Sequence, residues 1–140
     1  RFGPITTGHR QWKDKGHCSY IHGYGRYVRL TFEASELDER GWVMDFGDLR
    51  DIKRWIESEW DHNVLIAADD PLIPELKKLE ETGAIYLNIL PDGYYPGIEE
   101  SCRYLYDMIN PMIQKKTNNR VEITRVEIWE HENNHAEYVR

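Results

Sequence analysis

The hydrophobic period of this chain changes near residue 48, and that change limits what the chain can fold into. Across "YIHGYGRYVRLTFE" (20–33) apolar residues recur at alternate positions. Val28, Leu30 and Phe32 share one side, and Tyr27, Arg29 and Thr31 share the other. Alternation of this kind belongs to a strand with one buried face. From Asp48 the spacing turns helical. Leu49, Ile52, Ile56 and Trp60 follow one another at helical intervals with charges between them, so 48–60 reads as an amphipathic helix. A half-buried strand followed by such a helix calls for a sheet with helices packed against it.

The rest of the chain fits around that pair. "ELDERG" reads as a hairpin tip, with "WVMDF" returning as a short strand. "DDPLIPELKKLEETG" reads as a loop with a short helix ended by Gly83, "AIYLNIL" as a strand and "PDGYYPG" as turns. Ile98, Cys102, Leu105, Ile109 and Met112 mark a second amphipathic helix, kinked or ended near Pro111 and broken by Asn118-Asn119. In the last strand Val121 and Ile123 alternate, and Val126 and Ile128 follow in shifted phase, the signature of a β-bulge. The expectation is an α+β fold: a mainly antiparallel sheet with two helices on one face. With no repeat, low-complexity tract or linker, 140 residues make one domain, 1–140.

"HENNH" (131–135) matches the H-E-x-x-H zinc-protease pattern. That pattern works only on a helix, where the two His lie one turn apart on one face. Here the spacer is Asn133-Asn134, a turn-favouring pair, and the β-rich "RVEITRVEIWE" precedes it, so the segment reads as a turn between two strands. The formal charge of −7, with six His counted neutral, argues against nucleic-acid and anionic-membrane partners. It leaves room for a small anionic substrate in a locally basic pocket. Two cysteines, Cys18 and Cys102, do not make a disulfide framework, and a cytoplasmic setting is expected. No apolar stretch approaches the roughly 20 residues of a membrane span, and no signal peptide is visible. The chain opens on Arg1 rather than Met, which reads as a short piece trimmed from the N-terminus.

Chemistry-bearing residues gather around "HCSYIHGYGRYV". On a strand His22 and Tyr24 point to the same face. Cys18 lies just before that strand, near His17 and Lys15, and His9 lies upstream in "ITTGHRQ". Asp61 and His62 form a carboxylate–imidazole pair at the end of the first helix, and Glu130 closes the last strand. A thiol, such a pair and two possible metal-binding His suffice for proton transfer on a polarised substrate.

"CSYIHGY", "GWVMDFGDL", "WDHNVL", "YPGIE" and "VEIWE" occur in an order, and at approximate spacings, that resemble the 6-pyruvoyltetrahydropterin synthase and 6-carboxytetrahydropterin synthase family, from about Phe2 to Tyr138. The resemblance implies a role for each matched position. Cys18 would be the general base on the pterin side chain, and Asp61 and His62 would relay protons in the same step. Glu130 would anchor the pterin ring, with Glu99 keeping a second acidic position at the substrate. His9 and His22 would be two of three zinc ligands, and the cofactor implied is Zn2+. The fold implied is the tunnelling fold, a four-stranded antiparallel sheet with two helices that trimerises into a barrel. Two trimers would stack as a hexamer with active sites between subunits. The substrate implied is 7,8-dihydroneopterin triphosphate.

Two positions depart from the family pattern. Tyr24 stands where a third His ligand is usual, in H-G-Y rather than H-G-H, so that either its phenolate is the third zinc ligand or zinc is held weakly by two imidazoles, and Gly97 stands where P-T-x-E supplies a hydroxyl. The C-x3-H-G spacing resembles the 6-carboxytetrahydropterin branch, which releases acetaldehyde and triphosphate and feeds 7-deazaguanine (queuosine precursor) synthesis. The alternatives are the pyruvoyl activity and an inactive pterin-binding homologue.

Overall fold

The computed structural model describes all of residues 1–140. The strands are β1 (Phe2–His9), β2 (His22–Ala34), β3 (Asn63–Ile66), β4 (Tyr86–Ile89), β5 (Val121–His131) and β6 (Asn134–Val139), and the helices are α1 (Leu49–Trp60), α2 (Ile73–Glu81) and α3 (Ile98–Lys116). They form one six-stranded sheet in the order β4-β3-β1-β2-β5-β6. β2 pairs antiparallel with β1 and β5, and β5 with β6, whereas β3 runs parallel to both β1 and β4. The expected four-stranded antiparallel sheet with two helices is therefore corrected to a six-stranded mixed sheet with three helices. β3 and β4 hold four residues each, too few to display a period. β1, "FGPITTGH", is rich in Gly and Thr and carries little apolar alternation.

One apolar cluster holds the long elements together. Val28 and Leu30 of β2 and Ile123, Val126 and Ile128 of β5 meet Ile52, Ile56 and Trp60 of α1 and Leu105, Ile109 and Ile113 of α3. Burying each such aliphatic side chain contributes roughly 1.5–3 kcal/mol. α2 buries Leu76 outside this cluster, beside β4. The expected bulge is present. The pairing steps from Thr31↔Arg125 to Phe32↔Ile123, which leaves Thr124 as the extra residue and keeps Ile123 and Val126 both buried. α3 runs through Pro111 to Lys116, and Asn118 and Asn119, at φ 50° and 60°, follow its end. "WVMDF" forms no strand. Asp45 accepts a hydrogen bond from the Gly47 N–H at 2.7 Å and starts a short 3-10 turn that leads into α1.

The β1–β2 ladder places the site. His9 pairs with His22, Gly8 with Gly23 and Thr7 with Tyr24. A Cβ on Gly23 would stand 2.7 Å from the Thr7 carbonyl oxygen, so only glycine lets the strands approach here. At the far edge His131 pairs with Asn134, and Glu132 and Asn133 turn the chain. The H-E-x-x-H match is a β-hairpin.

Candidate active site

A cleft of about 600 Å³ opens beside the β1–β2 ladder. His9, His22 and Tyr24 line it from the sheet, Cys18 from a short 3-10 turn (His17–Ser19), Glu99 from the first turn of α3 and Glu130 from the end of β5. Six of the eight residues singled out in the sequence thus share one space. The hairpin residues Asn133, Asn134 and His135 close one side of it. Cys18 is half-buried and also borders a second hollow with Arg10, Lys13 and Tyr95. The cations of that hollow are already paired, Arg10 with Asp70 at 2.7 Å and Lys13 with Asp69 at 3.2 Å.

The floor of the cleft holds a residue that motif reading missed. Arg26 is completely buried, in phase with His22, Tyr24, Val28 and Leu30 on β2. Its Nη2 donates to the Pro96 carbonyl at 2.9 Å and to Glu130 Oε1 at 3.4 Å, and its Nη1 donates to Ser101 Oγ at 3.2 Å. The same Nη2 lies 3.4 Å from His9 Nδ1. Burial works against the Arg26 charge and the Glu130 carboxylate works for it, and a guanidinium keeps its proton. Burial and the Arg26 charge push the His9 pKa down to about 3, so His9 is neutral in the folded protein. The signal for Arg26 was its parity: a cation at a position where the strand alternation puts a core residue.

Gln11 is the second residue that motif reading missed. A Cβ on Gly97 would meet Gln11 Nε2 at 2.6 Å, so the Gln11 amide fills the room that a larger residue at 97 would need. Gln11 also lines the cleft, where it can offer the hydrogen bonding that a hydroxyl at 97 would supply.

Zinc held by His9, His22 and Tyr24 does not fit this arrangement. The rings do converge, with centroids 4.4 Å apart for His9–His22, 5.6 Å for His22–Tyr24 and 6.1 Å for His9–Tyr24. His22 Nδ1 lies 2.6 Å from the Tyr20 carbonyl oxygen, so it carries the proton and leaves a lone pair on Nε2. His9 is the reverse. A guanidinium only donates, so the ring nitrogen facing it must accept. A metal on His9 Nε2 would force a proton onto Nδ1, against Arg26. What remains is one available imidazole and a phenol, short of the three protein ligands of a catalytic zinc. No group of three or more His, Cys, Asp or Glu side chains is arranged to hold a metal.

Asp61 and His62 lie elsewhere. They follow the end of α1, and His62 borders a separate hollow near Glu80 and Tyr86. Asp61 accepts the Thr6 N–H at 2.9 Å and lies 3.1 Å from His62 Nδ1. His62 adopts φ 60°, and its side chain is 79 % exposed. An orienting carboxylate behind an outward imidazole, on a left-handed residue, is a built pair that lies outside the cleft of Cys18 and Glu130.

Residues 3–140 match the family model of 6-pyruvoyl tetrahydropterin synthase. The chain belongs to that family. It is 28% identical to a 6-carboxy-5,6,7,8-tetrahydropterin synthase of Aquifex aeolicus, over 96% of this chain and 92% of that protein. It is 36% identical to the enzyme of the same name from Rickettsia typhi, over 47% of this chain and 49% of that protein. Its fold is similar to an uncharacterized protein from Wolinella succinogenes, with TM-score 0.79, 23% identity and coverage of 96% and 93%. It is also similar to the 6-pyruvoyl tetrahydropterin synthase of Plasmodium vivax, with TM-score 0.68, 17% identity and coverage of 97% and 90%.

Proposed function

We propose that this chain is a 6-carboxy-5,6,7,8-tetrahydropterin synthase that converts 7,8-dihydroneopterin triphosphate and one water to 6-carboxytetrahydropterin, acetaldehyde and triphosphate. The observation that carries the reading is the convergence of the Cys18 thiol and the Glu130 and Glu99 carboxylates in one cleft floored by neutral His9. Relatives bearing that name support the carboxy branch, and the C-x3-H-G spacing agrees with it. The pyruvoyl activity is the second reading, since both reactions begin with the same elimination.

Each residue then has a task. Glu130, held by Arg26, accepts hydrogen bonds from the amino group and ring N–H of the pterin. Glu99 and the Gln11 amide border the same ring site. Cys18 takes the proton from the side-chain carbon as triphosphate leaves. The Asp61–His62 pair serves a cleft of a neighbouring copy and returns protons during the rearrangement that follows. The fold offers two unpaired sheet edges, β4 and β6, and an exposed apolar face in which Phe46 is 84 % accessible beside Trp42 and Val43. Both favour association, and we assign the assembly as two stacked trimers. Neither nucleic acid nor a membrane is a partner, in keeping with the net charge of −7. The two free thiols suit the cytoplasm and a place in 7-deazaguanine (queuosine precursor) synthesis. No step is assigned to zinc. Analysis of the products formed from dihydroneopterin triphosphate tests the reading.

A further inference from the structure

We infer that Arg26 is a positioning residue that takes over the fixed positive charge of the site, and that it sets His9 and His22 in opposite tautomers so that together they read a neutral hydroxyl group. The inference rests on the proposed pterin site and names how that site holds the hydroxylated side chain of its substrate.

Arg26 reaches four partners from three directions: the Pro96 carbonyl before α3, Ser101 on α3, Glu130 on β5 and His9 on β1. Its guanidinium also lies over the Trp60 ring at 5.6 Å. Removing a cation from water this completely is costly unless its neighbours repay it. Here Nε has no partner, so the other contacts carry that burden. Each fixes something at the cleft. The Glu130 contact sets a carboxylate, and the His9 contact sets a tautomer.

With Nδ1 of His9 accepting from Arg26, the proton sits on Nε2, which lies 3.9 Å from Glu130 Oε1. With Nδ1 of His22 bound to the Tyr20 carbonyl, the free nitrogen of His22 is a lone pair. The two rings are direct cross-strand partners with centroids 4.4 Å apart. One offers an N–H and the other accepts. A hydroxyl is both acceptor and donor, so it satisfies the pair at once, whereas a ketone or an ammonium satisfies only half of it. A divalent ion is disfavoured on the same ground, because it needs lone pairs from both rings.

Two measurements decide, and neither needs turnover, so an inactive protein leaves them readable. Nitrogen-15 spectra of the imidazoles in metal-free wild type should show His9 protonated on Nε2 and His22 on Nδ1. Titration with zinc chloride should give no stoichiometric uptake at micromolar free zinc. The double variant Arg26→Met, Tyr24→His should bind zinc about 10- to 100-fold more tightly than Tyr24→His alone. A wild-type chain that takes up one zinc with the His9 and His22 signals shifting together would overturn the inference, as would a His9 proton on Nδ1. If the Arg26 variants do not fold, the two wild-type readings stand alone and still decide.

Discussion

At the scale of single residues the two cysteines make an internal comparison. Cys102 is buried on α3 and donates to the Ala136 carbonyl at 3.4 Å, and burial pushes its thiol up to about 12. Such a thiol stays protonated and inert. Cys18 borders the cleft. Cys18→Ala should abolish turnover and leave pterin binding intact, whereas Cys102→Ala should keep turnover and cost only packing. Steady-state rates and a substrate titration on both variants check this, and near-normal rates for Cys18→Ala would remove the thiol from the mechanism. His9 gives a pH prediction. Its folded pKa of about 3 lies below the ordinary imidazole value of 6.5, so between those values the unfolded chain binds a proton that the folded chain refuses. Stability therefore falls as pH drops through that window and rises again toward neutrality. Denaturant titrations from pH 7 to pH 4 should show a shallower loss for His9→Gln than for wild type. Equal slopes would mean that His9 charges freely in the fold. Most of the cleft was legible because thiol, imidazole and carboxylate are rare, chemically distinct letters near recognisable motifs. Arg26 and Gln11 were not, because their roles depend on what faces them across the sheet and above it.

At the scale of elements, length decided what could be read. β2, β5, α1 and α3 are long enough to show their periods, and the phase slip in β5 marked its bulge in advance. β3 and β4 are four residues each, and their parallel pairing depends on chain segments far apart in sequence, so the mixed sheet was hidden. Pro111 suggested an end to α3 that packing overrode, since Ile113 beyond it is fully buried. The β1–β2 ladder carries the element-scale prediction. Gly23→Ala would drive a Cβ to 2.7 Å from the Thr7 carbonyl oxygen, a backbone atom that cannot swing away. The strands must part where His9 faces His22. The variant should lose about 1–3 kcal/mol of stability, and turnover should fall more than folding does. Thermal unfolding beside activity separates the two, and an active variant of unchanged stability would show that the close approach is dispensable.

At the scale of the whole molecule, one chain does not assemble every residue expected at the site. Cys18 and Glu130 share the cleft, but neither Asp61 nor His62 lines it, and His62 borders a different hollow. The proposed assembly of copies would present the Asp61–His62 pair to a neighbouring cleft, and the unpaired edges β4 and β6 are the surfaces through which copies would join. Cys18→Ala and His62→Ala should each be inactive alone. Unfolded together and reassembled, they should recover activity at about a quarter of the sites, where an intact thiol meets an intact imidazole from the next copy. No recovery from a well-assembled mixture would place both residues in one subunit's site.

The reaction itself is checked by following the products formed from 7,8-dihydroneopterin triphosphate. Wild type is predicted to release acetaldehyde and triphosphate in equal amounts and to leave 6-carboxytetrahydropterin. Release of triphosphate with a pyruvoyl pterin and no acetaldehyde, or tight pterin binding with no product at all, would contradict the account.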